Sequence, residues 1–139
     1  MSAARPGIDD ARKMAVFRTM AQAWHDQDWT TCAALFAPEG ILHSVMLEPV
    51  VGRQAIHDRI SRLGGANKKV TLNIERMGVV DGALIVQRVD VIVIDGRRGE
   101  CPAVGVIEFE GDRIARWRDY YDRSTLARAA GHSTEGQAS

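Results

Sequence analysis

Two charged residues interrupt the most strand-like run in the chain. Residues 84–94 read Leu-Ile-Val-Gln-Arg-Val-Asp-Val-Ile-Val-Ile, rich in β-branched side chains and closed by Asp95-Gly96. Side chains alternate along a strand, so Leu84, Val86, Arg88, Asp90, Ile92 and Ile94 share one face. An arginine and a carboxylate thus stand side by side in an aliphatic row, where burial is costly until pairing offsets it. A run that served only a core would carry valine there; the competing reading is an ion pair at the sheet rim. A second such place is Trp117-Arg118-Asp119-Tyr120-Tyr121. Alternation puts Arg113, Ala115, Trp117, Asp119 and Tyr121 on one face and Ile114, Arg116, Arg118 and Tyr120 on the other. The face with Trp117 and Tyr121 is the expected inner one, carrying Asp119 with it; the competing reading is a strand end with exposed charges.

Two carboxylates flanking a guanidinium have a chemical use. Arg88 is permanently charged, and its planar fork can bridge both acids. Like charges held close drive their protonation apart, so one acid keeps a proton while the other is ionised. That supplies a general acid and a general base together, each worth about 10² to 10⁴ in rate. Such a pair can open an electrophilic ring: one side protonates the leaving oxygen, the other activates an attacking water.

The elements that must hold these groups are legible along the chain. Residues 1–7 are small and polar and expected to be loose. Asp9 or Asp10 caps a predicted helix to about Asp26, with Met14, Phe17, Met20, Ala21 and Trp24 as a core-facing stripe. A short helix is predicted from Trp29 to Phe36, ended by Ala37-Pro38-Glu39-Gly40. Ile41 to Met46 reads as a strand carrying His43 and Ser44, both able to hold a water or a ligand oxygen, before the Glu48-Pro49 break. A third helix follows from Arg53 to Leu63, with Ile56, Ile60 and Leu63 inward and Gly64-Gly65 stopping it. His57 is read as flanking surface.

From Lys68 the apolar period falls from 3.6 to 2. Four strands are predicted, Val70 to Val80, Ala83 to Ile94, Cys101 to Glu110 and Arg113 to Tyr121. Asp81-Gly82, Asp95-Gly96 with Gly99, and Gly111-Asp112 mark tight turns between them. Short links imply an antiparallel meander, in which the second and fourth strands lie roughly 10 Å apart. Curvature narrows that gap, so Arg88, Asp90 and Asp119 are expected to meet in one pocket. Ser124 to Ala130 suits a last helical turn or two, and Gly131 to Ser139 a frayed tail. Helices first and strands afterwards give an α+β domain with a curved sheet around the helices.

Composition narrows the classes of partner. At 139 residues the chain is expected to form one domain, ordered over about 8–130. Lys+Arg and Asp+Glu are 18 each, so the formal net charge is zero. No basic surplus favours nucleic acid or an anionic membrane. Cys32 and Cys101 have no metal-ligand spacing. With neither a signal peptide nor an apolar run near 18 residues, a soluble cytoplasmic protein is expected. There is no phosphate-binding Gly-rich loop, no HExxH and no serine nucleophile elbow, so no cofactor or metal is expected.

Gln87-Arg88-Val89-Asp90-Val91, followed by Gly111-Asp112-Arg113-Ile114-Ala115-Arg116-Trp117-Arg118-Asp119-Tyr120-Tyr121-Asp122, resembles the limonene-1,2-epoxide hydrolase family within the nuclear-transport-factor-2-like (SnoaL-like) fold. The resemblance runs from the first helix to about Gly131. It implies a cone-shaped α+β domain, a helix-filled barrel of mostly antiparallel strands, dimeric and with a metal-free hydrolase pocket. By motif, Asp119 resembles the base that deprotonates water, Asp90 the acid that protonates the epoxide oxygen, and Arg88 their bridge. The family holds its water with a tyrosine and an asparagine on an early strand, ahead of a proline turn and a Gly-Arg pair. Gly52-Arg53 matches that pair, and counting back places Leu42 and Ser44 at the two polar positions; a one-residue shift offers His43.

Three functions follow as expectations. The first is hydrolysis of a small, largely apolar epoxide, with Leu84, Val86, Ile92, Trp117 and Tyr121 as apolar lining. The second keeps the acids but uses a hydroxyl of the substrate, giving an epoxide-opening cyclase or an isomerase of a polyketide or terpenoid pathway. The third is a non-catalytic small-molecule-binding domain.

Overall fold

The computed structural model describes residues 8–131; the expected loose ends, 1–7 and the tail from 132, lie outside the described residues. The Asp9 carboxylate accepts the Arg12 amide and starts α1 (Asp10–His25). Phe17, Met20 and Trp24 of its apolar stripe are buried, and Met14 and Ala21 pack partly buried against the core. Asp28 caps α2 (Trp29–Ala34), which stops two residues short of the sequence-predicted end. Phe36 is already in β1 (Phe36–Ser44), which runs on through Pro38 and Gly40. Tertiary pairing overrides the turn signal there: Phe36 lies opposite Ile114, and the register slips before Ile41, which accommodates the proline.

A two-residue strand, β2 (Val50–Val51), pairs antiparallel with β1 and is too short to announce itself in sequence. Gly52, at φ 97°, turns the chain into α3 (Arg53–Ser61). The Arg53 guanidinium donates twice to the Phe36 carbonyl, at 3.2 and 2.6 Å, and ties α3 to β1. Ile56 and Ile60 are buried as expected, but Leu63 lies beyond the helix end and is 44% exposed.

The meander forms as read: β3 (Lys68–Val80), β4 (Ala83–Ile94), β5 (Arg97–Glu110) and β6 (Arg113–Tyr121), each antiparallel to the next. β5 begins four residues earlier than predicted, so Gly99 is a strand residue rather than part of the turn. A side chain there would collide with Ala129 of α4 (Arg123–Ala129), which packs on it. The sheet order is β2-β1-β6-β5-β4-β3, with β1 parallel to β6. The result is an α+β fold whose helices pack against one curved six-stranded sheet that does not close into a barrel. The core gathers Phe17, Phe36 and Trp117, with Phe17 edge-on to Trp117 at 5.2 Å between centroids.

One face assignment changes. Between Glu108 and Phe109 the β5–β6 register slips, leaving Ala115 as an extra residue. Ile114 is therefore fully buried on the inner side with Trp117, not outward with Arg116 and Arg118. A bulge adds one residue to the count and reverses the faces upstream of it.

Candidate active site

The central strands bring the three charged residues into one hydrogen-bonded unit. Arg88 lies opposite Ala103 on β5, and Asp119 opposite Gly105, so β5 alone separates the two strands. Arg88 donates to both oxygens of Asp90, Nε to Oδ1 at 2.7 Å and Nη2 to Oδ2 at 2.9 Å. It also donates to both oxygens of Asp119, Nη1 to Oδ1 at 2.9 Å and Nη2 to Oδ2 at 2.7 Å. The Trp117 indole N–H adds a 2.6 Å bond to Asp119 Oδ1. Arg88 is 2% exposed, and its guanidinium stacks over the Trp117 ring at 5.5 Å.

Gly105 is what permits this approach. A Cβ at that position would stand 3.0 Å from Trp117 Nε1 and 3.1 Å from both Arg88 Nη1 and Asp119 Oδ1. The sequence reading passed over it, although a glycine inside a strand is a signal of close approach.

The two acids sit in different electrostatic settings. Burial pushes the Asp90 carboxyl above its ordinary range, against the hydrogen bonds and charge of Arg88, and the charge of Asp119 pushes the same way. Burial also works against the charge on Arg88, but Asp119 and Asp90 outweigh it and hold the guanidinium charged. With both acids ionised the unit carries a net single negative charge; with one proton it is neutral. The arrangement can therefore hold one transferable proton in a nearly dry place.

The unit forms one wall of a cavity of about 400 Å³. Of the sequence-predicted site residues, Arg88, Asp90, Asp119, Leu42, Ser44, Ile92, Trp117 and Tyr121 line it. Ser44 stands beside Asp119 and Leu42 beside Trp117 in the β1–β6 pairing. His43 faces the other way, its Nε2 lying 2.9 Å from the Leu47 carbonyl, so the one-residue shift is not realised. Leu84 and Val86 do not border the cavity; both are fully buried in the core cluster with Phe17 and Met20, under the helix-covered half of the sheet. His57 is also off the cavity, its Nδ1 3.6 Å from Asp58. Sequence reading missed four charged residues of the cavity lining, Glu48, Arg59, Lys68 and Lys69. Among the described residues no group of three or more His, Cys, Asp or Glu side chains could hold a metal ion. No helix of the described residues is long and apolar enough to cross a membrane.

A largely apolar cavity with a few polar groups in its wall is the architecture of a small-molecule pocket. Residues 17–117 match the SnoaL-like domain, and the chain belongs to that family. A relative, the epoxide hydrolase EphG of Mycobacterium tuberculosis, is 26% identical over 100 residues, covering 72% of this chain. The chain spans 66% of that relative's length. Among solved structures, an LEH-like epoxide hydrolase of M. tuberculosis superposes with a TM-score of 0.77 at 20% identity, over 93% of this chain and 96% of that one. A putative polyketide cyclase from Xanthomonas campestris pv. campestris superposes at 0.75 with 14% identity, over 86% of this chain and 97% of that one. These two likenesses establish the shared fold, which hosts more than one chemistry.

Proposed function

We propose that the protein is an epoxide hydrolase that adds water to a small, largely apolar epoxide in one general acid/base step. The observation that carries this reading is the Asp90–Arg88–Asp119 unit facing the cavity, one guanidinium bonded to all four carboxylate oxygens. The similarity to EphG supports it. Asp119, beside Ser44 at the cavity wall, takes a proton from water as the water oxygen attacks a ring carbon. The ring C–O bond breaks, and its oxygen takes the proton from Asp90, whose burial favours the protonated form. Arg88 keeps both acids aimed and passes charge balance between them. The proton then returns from Asp119 to Asp90 before the next turnover.

The test is incubation with a panel of simple epoxides in ¹⁸O-labelled water. A diol carrying one label is expected; saturable binding without turnover of any epoxide refutes the hydrolase reading.

A second reading has its own observation. Leu42 places hydrocarbon on the cavity wall where the resembling family uses a tyrosine, leaving Ser44 as the one polar side chain of that pair. A substrate hydroxyl would then replace water, and a hydroxy-epoxide would give an unlabelled cyclic ether. A homodimer belongs to the same proposal. Val104 and Tyr120, partners across β5 and β6, are 36% and 47% exposed and give the outer sheet face an apolar patch. Sedimentation at twice the chain mass is the expected result.

A further inference from the structure

The cavity is electrostatically two-ended. At one end lies the Asp90–Arg88–Asp119 unit, which carries no positive surplus. Lys68 and Lys69 line the cavity opposite Ile94 and Val93, four and three residues along β4 from Asp90, and Arg59 and Glu48 are also in its lining. None of these four makes an ion pair among the described residues, and three positive charges against one leave the four at about plus two.

Lys68 is also held in place. Gln27 donates to its carbonyl at 3.1 Å, and its own Nζ donates to the carbonyl of Arg62, the residue that caps the C-terminal end of α3, at 2.9 Å. That acceptor is neutral, so the ammonium is positioned without being compensated. Lys68 is half-buried and shares a strand face with Val70 and Leu72, both of which line the cavity. Its partner across the ladder is Ile94, four residues from Asp90 on β4. Four residues of strand span about 13 Å. A ligand with one end at the acid pair therefore meets uncompensated cations about 13 Å away, with apolar wall between.

We infer that the substrate is an amphiphile: an apolar body with the reacting group at one end and an anionic group, in the simplest case a carboxylate, seated against Arg59, Lys68 and Lys69 at the other. The inference deepens the hydrolase reading above and rests on it for the identity of the reacting group. It departs from a wholly apolar substrate. Partly exposed charge pairs are worth little each, so the preference is about 3- to 30-fold from two or three cations together. It weakens with added salt, because the cavity opens to solvent.

The experiment uses matched probes on the full chain. Binding of undecanoate and of methyl undecanoate, neither of which can react, is measured by calorimetry. Turnover of 10,11-epoxyundecanoic acid and of its methyl ester is measured alongside. Undecanoate is expected to bind about 3- to 30-fold tighter than its ester, and the epoxy acid to show the lower KM. In Arg59→Gln/Lys68→Met both preferences fall to about one. Equal binding of acid and ester by the native protein, or a preference that survives the double substitution or 0.5 M salt unchanged, overturns the inference; the lysine and arginine stems then serve only as apolar cover. Acid-selective binding without turnover of either epoxide sustains the anionic end and refutes hydrolysis instead, so the two failures are distinguishable.

Discussion

Gly105→Ala adds one methyl group to the most crowded point of the molecule. The new Cβ stands 3.0 Å from Trp117 Nε1 and 3.1 Å from Arg88 Nη1 and Asp119 Oδ1, whereas relaxed contacts of this kind lie near 3.5 to 4.0 Å. Three atoms of one hydrogen-bonded unit must therefore retreat by about 0.5 Å, and none is the free end of a flexible chain, since each is bonded to another. Overpacking of this size costs about 1–3 kcal/mol, while replacing glycine in a strand returns about 0.5–1 kcal/mol. A net loss of about 1–2 kcal/mol is expected, which lowers the melting temperature by about 3 to 8 °C. A displacement of 1 Å near reacting groups can cost about 100-fold, so half that shift should reduce kcat/KM about tenfold. Gly78→Ala is the matched control, because a Cβ there meets nothing within 4 Å. Calorimetric melting and steady-state epoxide kinetics on both variants decide the matter. A Gly105→Ala protein that melts at or above the native temperature with native kcat/KM refutes the claim that the close approach at β5 sets the unit's geometry.

Other outcomes follow from the same contacts. Asp90→Asn and Asp119→Asn should each lower kcat by about 10² or more with the fold retained by circular dichroism; Asp119→Asn should also lower stability by about 3 kcal/mol because the buried Arg88 loses its ionised partner, and near-native turnover in either variant would refute the assignment of acid and base. The Asp90 carboxyl is raised in the folded state, so folding binds its proton more tightly. Its contribution to stability is full below the ordinary value of 3.8 and is lost as pH rises through the raised value. Urea midpoints measured across that window should fall with pH for the native chain relative to Asp90→Asn. Burial and the nearby charge of Asp28 push the Cys32 thiol up to about 12, and Cys101 is raised chiefly by burial. Neither should react with iodoacetamide at pH 7.5 faster than the protein unfolds, as mass spectrometry of a labelling time course would show.

The sequence alone determined the pieces whose causes are local. Alternation along residues 84–94 put Arg88 and Asp90 on one face because a strand's period is fixed by its backbone, and the Asp-Gly pairs set the hairpins because that chemistry suits tight turns. Tertiary structure decided the rest. The bulge at Ala115 reversed Ile114, and β1 absorbed the Pro38 stretch, because pairing with β6 outweighed local preference. The inner face of β4 was legible, but its division was not: the core covers Leu84 and Val86, while Ile92 looks into the cavity. That division, the seating of His43 away from the ligand space, and the entry of both Arg59 and Lys68 into one cavity lining depend on which helix lies over which stretch of strand. Such coverage is a contact between segments far apart in the chain, and no local pattern encodes it.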